Sequence, residues 1–291
     1  MNILILSRNP NLYSTQSLVK AARIRNHYVR VVDHLQCDLI IEKGKPRITF
    51  NNLNLDKIDA IIPRIGATAT SFGAAVIRQF EMMGVFSTLG SVPLIQSRNK
   101  LSCLQILAGN GIHVPKTIYC SNLYTIPKLL DNMGTYPVII KLIKGTQGLG
   151  VILAESKNNA ESILEAFQTT NEKVILQKFV KESMGSDVRA FVINNRVVGA
   201  MIRKAKPGEF RSNLHKGGLS EKTTLSEEEI RVAVNSAEIL GLKIAGVDML
   251  RTHHGPFVIE VNASPGLEGI EQTTEVDISG EIIRYIEENI R

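Results

Sequence analysis

Tryptophan is absent from the 291 residues, aromatic side chains make up 5% of them, and no Lys/Arg stripe interleaves with stacking residues. Direct nucleic-acid binding is therefore not expected. Cysteine is scarce as well, and Cys37, Cys103 and Cys120 are odd in number and far apart. Such spacing excludes a disulfide framework and a Cys-x-x-Cys metal motif, and it fits a reducing cytoplasm. No apolar run reaches the roughly 18 residues that a membrane-spanning helix requires, so no membrane partner is expected. The apolar opening Met1-Asn2-Ile3-Leu4-Ile5-Leu6-Ser7 is too short for a signal peptide and lacks its charged flank. It reads as a first buried strand. Two nucleotide signatures are missing too. Without Gly-x-x-x-x-Gly-Lys-Ser/Thr the chain is not a P-loop protein, and without Gly-x-Gly-x-x-Gly after the first strand there is little reason to place a dinucleotide there.

Apolar residues at 44% and charged residues at 21% are ordinary values for a compact globular chain. The length suits two or three packed lobes. Thirty-four Lys and Arg against 28 Asp and Glu leave +6, a surplus that concentrates anions such as nucleotides or acidic peptides. Periodicity predicts a βαβ opening: a strand over residues 2–6, a helix over 15–26 with Ser14 as its cap, and a strand over 28–33. A strand at 59–63, a helix near 70–84 and a short strand near 85–88 extend this into a small parallel sheet. A helix near 97–110 then ends at Gly111, and Ile112–Pro115 reads as a link into a different lobe. Strands 137–142 and 151–154 form a hairpin, followed by a helix over 157–167 and a strand over 174–180. A second antiparallel pair, 187–193 and 196–204, turns at Asn194-Asn195. Ser226 opens a helix over 227–240, strands 246–251 and 256–261 follow, and the last helix spans 279–290. Domains are expected at 1–95, 96–176 and 177–291.

Three groups of residues carry chemistry. Gly145-Thr146-Gln147-Gly148-Leu149-Gly150 joins two apolar strands, and its glycines let backbone amides approach a phosphate. Glycine-rich hairpin turns are common without any ligand, but Lys141 on the entering strand supplies a cation that favours the phosphate reading. The second group lies in Val247-Asp248-Met249-Leu250 and Val258-Ile259-Glu260-Val261-Asn262, which place carboxylates inside apolar runs. A buried carboxylate needs a cation or a metal. Period-two alternation puts Glu260 and Asn262 on one face, where a neighbouring strand can present Asp248. An all-oxygen set of this kind suits Mg²⁺ or Mn²⁺, and the plain alternative is a buried salt bridge to Arg251 or another base. The third group is Arg189, Arg203, Lys204, Lys206, Arg211, Ser212 and Asn213. Apolar residues alternate with Arg189 and Arg203, so these two can share a sheet face and converge on an anion.

Together these residues resemble the ATP-grasp superfamily, and within it the RimK-type ribosomal-protein glutamate ligases. The resemblance spans nearly the whole chain. It rests on Lys141…Gly145-x-x-Gly148-x-Gly150, Phe210-Arg211-Ser212-Asn213, Gly246-Val247-Asp248 and the string from Glu260 to Gly269. It implies an α/β protein with α+β lobes: an ATP-grasp fold preceded by a Rossmann-like N-terminal pre-ATP-grasp domain. It further implies ATP held between two sheets, with Lys100 and Lys141 near the phosphates and Gly145, Gly148 and Gly150 in the loop that closes over them. Lys178 and Phe179 would lie in the hinge that receives adenine, although a Glu is commoner where this chain has Lys178. Asp187, Arg211, Ser212 and Asn213 would belong to the nucleotide site, and Asp248, Glu260 and Asn262 would carry two magnesium or manganese ions. Arg189, Arg203, Arg211 and Asn213 are the candidates for holding the acyl intermediate and the substrate carboxylates.

The implied reaction is phosphorylation of a carboxylate by ATP, then attack by an amine on the acylphosphate. The implied partners are L-glutamate and the C-terminal tail of the sixth small-subunit ribosomal protein, in a homo-oligomeric enzyme. Two rivals stand beside this reading. One is an ATP-grasp peptide ligase acting on a small metabolite, a cell-wall dipeptide or a carrier protein. The other is an ATP-binding regulatory module without turnover, for which the loss of a metal ligand or phosphate lysine would be the expected mark.

Overall fold

The computed structural model describes residues 1–120, 125–143, 150–169, 173–183, 185–206, 209, 212 and 218–290. Gly145, Gly148, Phe210, Arg211 and Asn213 lie outside the described residues.

The chain opens with the βαβ unit that its pattern predicts: β1 (Asn2–Leu6), α1 (Tyr13–Ile24) and β2 (Tyr28–Val32). Ser14 does not cap α1. Leu12 occupies that position without a side-chain bond, and the Ser14 hydroxyl instead accepts the Leu267 amide at 3.0 Å, tying α1 to the far end of the chain. Three short antiparallel strands follow, β3 (Cys37–Ile40), β4 (Arg47–Phe50) and β5 (Leu53–Asn54). They are too short and too polar for alternation to reveal them. Next come β6 (Ala60–Pro63), α2 (Thr70–Met82) and β7 (Phe86–Ser87), completing a parallel sheet of order β2-β1-β6-β7. The chain leaves β1 toward one edge and returns on its other side, so the carboxyl ends of β1 and β6 flank a topological switch point.

The single helix expected near 97–110 is two helices, α3 (Ser91–Arg98) and α4 (Lys100–Gly109). Asn99 breaks them apart: its backbone is extended, and its side chain accepts the Leu101 and Ser102 amides at 3.1 Å each.

A second sheet begins with β8 (Thr117–Cys120), followed by α5 (Ile126–Met133), β9 (Val138–Leu142), β10 (Val151–Ala154), α6 (Lys157–Thr169) and β11 (Val174–Lys178). Its order is β10-β9-β11-β8, antiparallel throughout. Gly150 has φ +71°, and a Cβ there would lie 2.7 Å from Leu142 Cδ1, so only glycine fits where β10 begins.

The third sheet holds β12 (Ser186–Ile193), β13 (Arg196–Lys204), β14 (Leu219–Lys222), β15 (Ile244–Leu250) and β16 (Phe257–Asn262) in the order β14-β13-β12-β15-β16. Asn194 and Asn195, at φ 45° and 61°, make the left-handed two-residue turn between β12 and β13. Helix α7 (Glu227–Ile239) starts in a full capping box of Ser226 and Glu229. Helices α8 (Glu268–Thr274) and α9 (Ile278–Asn289) finish the chain.

The first and third sheets share two apolar clusters. Leu4, Leu6 and Ile61 pack with Val188, Ala190 and Val247, while Ile3, Ile5 and Ile62 pack with Phe191, Ile193 and Ile282. The second sheet has a core of its own around Val138, Ile140, Leu164 and Leu176. Among the described residues no helix is long and apolar enough to cross a membrane.

Candidate active site

Strand register builds the site. Asp187 and Arg189 are two apart on β12 and so face one way. Across the ladder Arg203 of β13 stands opposite Asp187, Asp248 of β15 opposite Arg189, Glu260 of β16 opposite Asp248, and Asn262 opposite Gly246. Two acids, two arginines, a glutamate and an amide are thereby set on a single sheet face, as period-two spacing predicts for Arg189 with Arg203 and for Glu260 with Asn262.

The anion on which Arg189 and Arg203 converge is Asp248. Arg189 donates from Nε to Oδ1 at 2.7 Å and from Nη2 to Oδ2 at 2.6 Å, a bidentate fork, and Arg203 Nη2 lies 2.9 Å from Oδ2. Arg203 also forks onto Asp187, at 2.6 and 2.8 Å, and the Ser212 hydroxyl donates to Asp187 Oδ2 at 2.6 Å. Asp187, Arg203 and Asp248 are all buried. Burial pushes the Asp248 carboxyl up, but the charges of Arg189 and Arg203 outweigh it and hold it below the usual range. Desolvation likewise opposes the Arg203 cation, and Asp248 and Asp187 overcome it. Arg251 takes no part; it forks onto Glu229 instead. The buried salt bridge weighed for Asp248 thus exists with other bases.

Glu260 is exposed, and its charge reaches Lys100 and Lys141. Lys100, in the first turn of α4, donates to the Leu142 carbonyl at 3.0 Å, bridging to the strand that enters the glycine-rich loop. Lys141 donates to Gln177 Oε1 at 2.6 Å, and Gln177 in turn donates to Thr117 Oγ1 at 3.0 Å. Desolvation pulls the Lys141 ammonium down to about 8, with Glu260 opposing and Lys100 reinforcing. Desolvation also lowers Lys100, again against Glu260. The positioning of Lys141 by Gln177 has one visible signal in the sequence, a polar side chain closing the apolar run Val174-Ile175-Leu176. At the hinge itself the Lys178 amide donates to the Lys116 carbonyl at 2.8 Å, the Lys178 side chain is exposed and Phe179 is half-buried.

The donor set of Asp248, Glu260 and Asn262 fits a hard divalent cation. It consists of two carboxylates and an amide oxygen, and among the described residues no cluster of three His, Cys, Asp or Glu side chains offers a softer site. Each carboxylate oxygen has about two acceptor sites. Among the described residues Asp248 Oδ1 accepts one bond, from Arg189, which leaves it acceptor capacity for a metal. Gly246 keeps the face passable, since a Cβ there would lie 2.9 Å from Pro265 Cβ and 3.7 Å from Arg189 Nε.

Comparison with known proteins gives the family. Residues 97–286 match the RimK-like ATP-grasp domain family, and residues 1–94 the RimK pre-ATP-grasp domain family. The chain is 50% identical over 291 residues to a probable alpha-L-glutamate ligase of Cellvibrio japonicus, covering 100% of this chain and 97% of that one. Its fold is similar to that of the ATP-grasp ligase PsnB, solved with a phosphomimetic variant of its minimal precursor, Mg and ADP, at TM-score 0.77 and 20% identity over 100% of this chain and 98% of that one. It is also similar to the D-alanine–D-alanine ligase of Bacillus anthracis, at TM-score 0.69 and 16% identity over 99% and 96% of the two chains. The α/β architecture expected from the motifs is thus the one found, and the chain belongs to the RimK-like ATP-grasp family.

Proposed function

We propose that the protein is an alpha-L-glutamate ligase that spends ATP to extend the carboxyl terminus of a protein acceptor with glutamate. Family membership carries the coarse activity, ATP-dependent joining of a carboxylate to an amine. The observation that supports the site assignment is the placement of Glu260: it faces Asp248 across the β15/β16 ladder, and its charge reaches Lys100 and Lys141 from the side of the second sheet.

In this reading Lys100 and Lys141 hold ATP phosphates, the loop with Gly145, Gly148 and Gly150 covers them, and Lys178 with Phe179 borders adenine. Asp248, Glu260 and Asn262 hold two magnesium or manganese ions, which when bound offset charge on the phosphoryl group being transferred. An acceptor carboxylate oxygen attacks the γ-phosphorus, forming an O–P bond as the bond to ADP breaks. The amine of L-glutamate then attacks the acyl carbon, phosphate leaves and the amine gives up a proton. Covering the site keeps water from the acylphosphate. Arg203 is committed to Asp187 and Asp248, so its part is to fix Asp248 in place. Arg189, less deeply buried, is the arginine of the pair with room to meet a substrate oxygen. Arg211 and Asn213 complete the substrate and nucleotide contacts with Asp187 and Ser212.

The acceptor assigned is the C-terminal tail of the sixth small-subunit ribosomal protein, acted on by a homo-oligomer in the cytoplasm. Three buried free thiols favour a reducing compartment. The test is ADP release with ATP, Mg²⁺, acceptor peptide and each proteinogenic amino acid in turn, with mass spectrometry of the peptide. Glutamate-dependent release with addition of glutamyl mass is the expected result. Turnover indifferent to glutamate would overturn the assignment.

A further inference from the structure

Two half-buried arginines outside the sheet-face cluster have no carboxylate in salt-bridge contact among the described residues. Arg64 directly follows β6, and Arg98 is the last residue of α3. Arg64 Nη2 donates to the Pro265 carbonyl at 2.7 Å, and Arg98 Nη2 to the Ile65 carbonyl at 2.6 Å. A guanidinium has five N–H donors, so most of this capacity is unspent on protein. Arg98 Nε is sealed from solvent and has no hydrogen-bond partner among the described residues. Desolvation pulls the Arg64 guanidinium down to about 10, and the neighbouring charge of Arg98 pushes the same way. Burial also lowers Arg98, against the attraction of Glu260. The charge of Glu271 reaches Arg64, but its oxygens already accept the Ser17 hydroxyl at 2.9 Å and the Ser279 amide at 2.8 Å.

Stability alone gives no reason to keep two like charges close together and half-buried, since buried charges are normally paired. The position supplies one. Open parallel sheets take ligands at the carboxyl ends of their strands beside a switch point, which is where Arg64 leaves β6. The facing wall is Ser264-Pro265-Gly266, continuous with the strand of Glu260 and Asn262, and Ser264 Oγ donates to the Pro63 carbonyl at 3.3 Å. A Cβ built on Gly66 or on Gly266 would meet nothing within 4 Å, so both walls open onto free space.

We propose that Arg64 and Arg98 form a carboxylate-binding subsite for a substrate of the ligase, between the switch point of the first sheet and the end of β16. The proposal rests on the glutamate-ligase reading for its substrates. That reaction brings two carboxylate-bearing molecules together, the acceptor terminus and the incoming amino acid, and planar guanidinium forks match carboxylates. Lys141 stands on the second sheet and Lys100 bonds that sheet's Leu142 carbonyl, whereas Arg64 leaves the first sheet on the side of Ser264-Pro265-Gly266.

The test compares wild type with Arg64→Gln, Arg98→Gln and Arg98→Lys in the full chain. Loss of charge-assisted bonds should raise KM for one carboxylate substrate about tenfold to a hundredfold. Whether the rise falls on L-glutamate or on the acceptor peptide says which one the pair holds. Affinity for a non-hydrolysable ATP analogue should stay unchanged. The thermal midpoint of ligand-free Arg98→Gln should hold or rise, because an unpaired charge has been removed. Unchanged KM for both substrates, or a loss confined to nucleotide affinity, overturns the subsite. So does a fall in midpoint with KM intact, which is the mark of a purely structural pair. Independently of turnover, L-glutamate and succinate should raise the midpoint of wild type but not of the double variant Arg64→Gln/Arg98→Gln; equal shifts overturn the subsite. Absence of glutamate-dependent ADP release in wild type would instead count against the ligase reading.

Discussion

Arg203→Met is the sharpest test of how the third sheet holds its charges. The substitution keeps an unbranched side chain of similar length but removes the one cation that Asp187 and Asp248 share. Asp248 would retain its fork to Arg189, whereas Asp187 would keep, among the described residues, the Ser212 hydroxyl alone. Breaking a buried ion pair from one side costs about 3–5 kcal/mol, because the remaining charge is left without compensation. That is a large fraction of the roughly 5–15 kcal/mol by which folded domains are stable. Urea unfolding at neutral pH should therefore show a loss of that size. A second substitution separates the causes. In Arg203→Met/Asp187→Asn the stranded charge is gone, so the double variant should be more stable than Arg203→Met alone, by about 1–3 kcal/mol of coupling. If Arg203→Met falls within about 1 kcal/mol of wild type, or if adding Asp187→Asn deepens the loss, the account of this cluster as a compensated buried network is refuted.

Glu260→Gln keeps shape and removes charge on an exposed side chain, so it should abolish ATP turnover while the far-ultraviolet spectrum and thermal midpoint stay at wild-type values; preserved turnover removes Glu260 from the metal set. Gly246→Ala places a methyl 2.9 Å from Pro265 Cβ and should cost about 1–3 kcal/mol in urea unfolding together with activity, since Arg189 and Pro265 cannot both stay in place. Glu229 gives a pH signature. Burial pushes its carboxyl up, but Arg251 and the Ser226 amide outweigh this and depress it. Its contribution is therefore fully present above the unfolded value of about 4.3 and is lost as pH falls through the lower folded one. Arg251 is 44% exposed, so screening limits the charge contribution to about 0.5–1 kcal/mol. Glu229→Gln should differ from wild type by that much at pH 7 and by nothing at pH 2. A difference independent of pH would locate the effect in packing instead.

The sheets were legible where burial on one face imposes alternation. Val188, Ala190 and Val192 point into the core shared with the first sheet, which forces Asp187 and Arg189 onto the opposite face, and period two carries that consequence directly. What alternation cannot supply is the pairing between strands. Arg189 opposite Asp248, and Arg203 opposite Asp187, follow from a ladder order in which β12 sits between β13 and β15, and no local signal encodes that order. The helices failed for local reasons. Residues 97–110 read as one helix because apolar spacing persists through Asn99, and only the capping of Leu101 and Ser102 by its side chain marks the break. Ser14 looked like a cap by type, but its oxygen serves a long-range bond to Leu267. The strands β3 to β5 are short edge pieces whose pairing, rather than their composition, makes them strands.

The charge balance of the site bears on why so much cation is gathered there. Arg64, Arg98, Lys100, Lys141, Arg189 and Arg203 lie around Asp187, Asp248 and Glu260, six cations to three carboxylates. Two of the cations, Arg189 and Arg203, are consumed in fixing Asp187 and Asp248. The other four are desolvated enough that burial lowers each of them. Three of those four feel Glu260, the acid of the group that no arginine fork takes up. Such an excess does not serve stability, because each desolvated charge subtracts from a small total. In the proposed reading, what binds would compensate this excess: phosphates at the lysines, carboxylates at Arg64 and Arg98. Lys141 stands on the second sheet with its separate core and Lys100 bonds that sheet's Leu142 carbonyl, while Arg64 leaves the first sheet, which shares its core with the third. A nucleotide and an acidic substrate bound together would thus neutralise the cations gathered between the second sheet and the core that the first and third share.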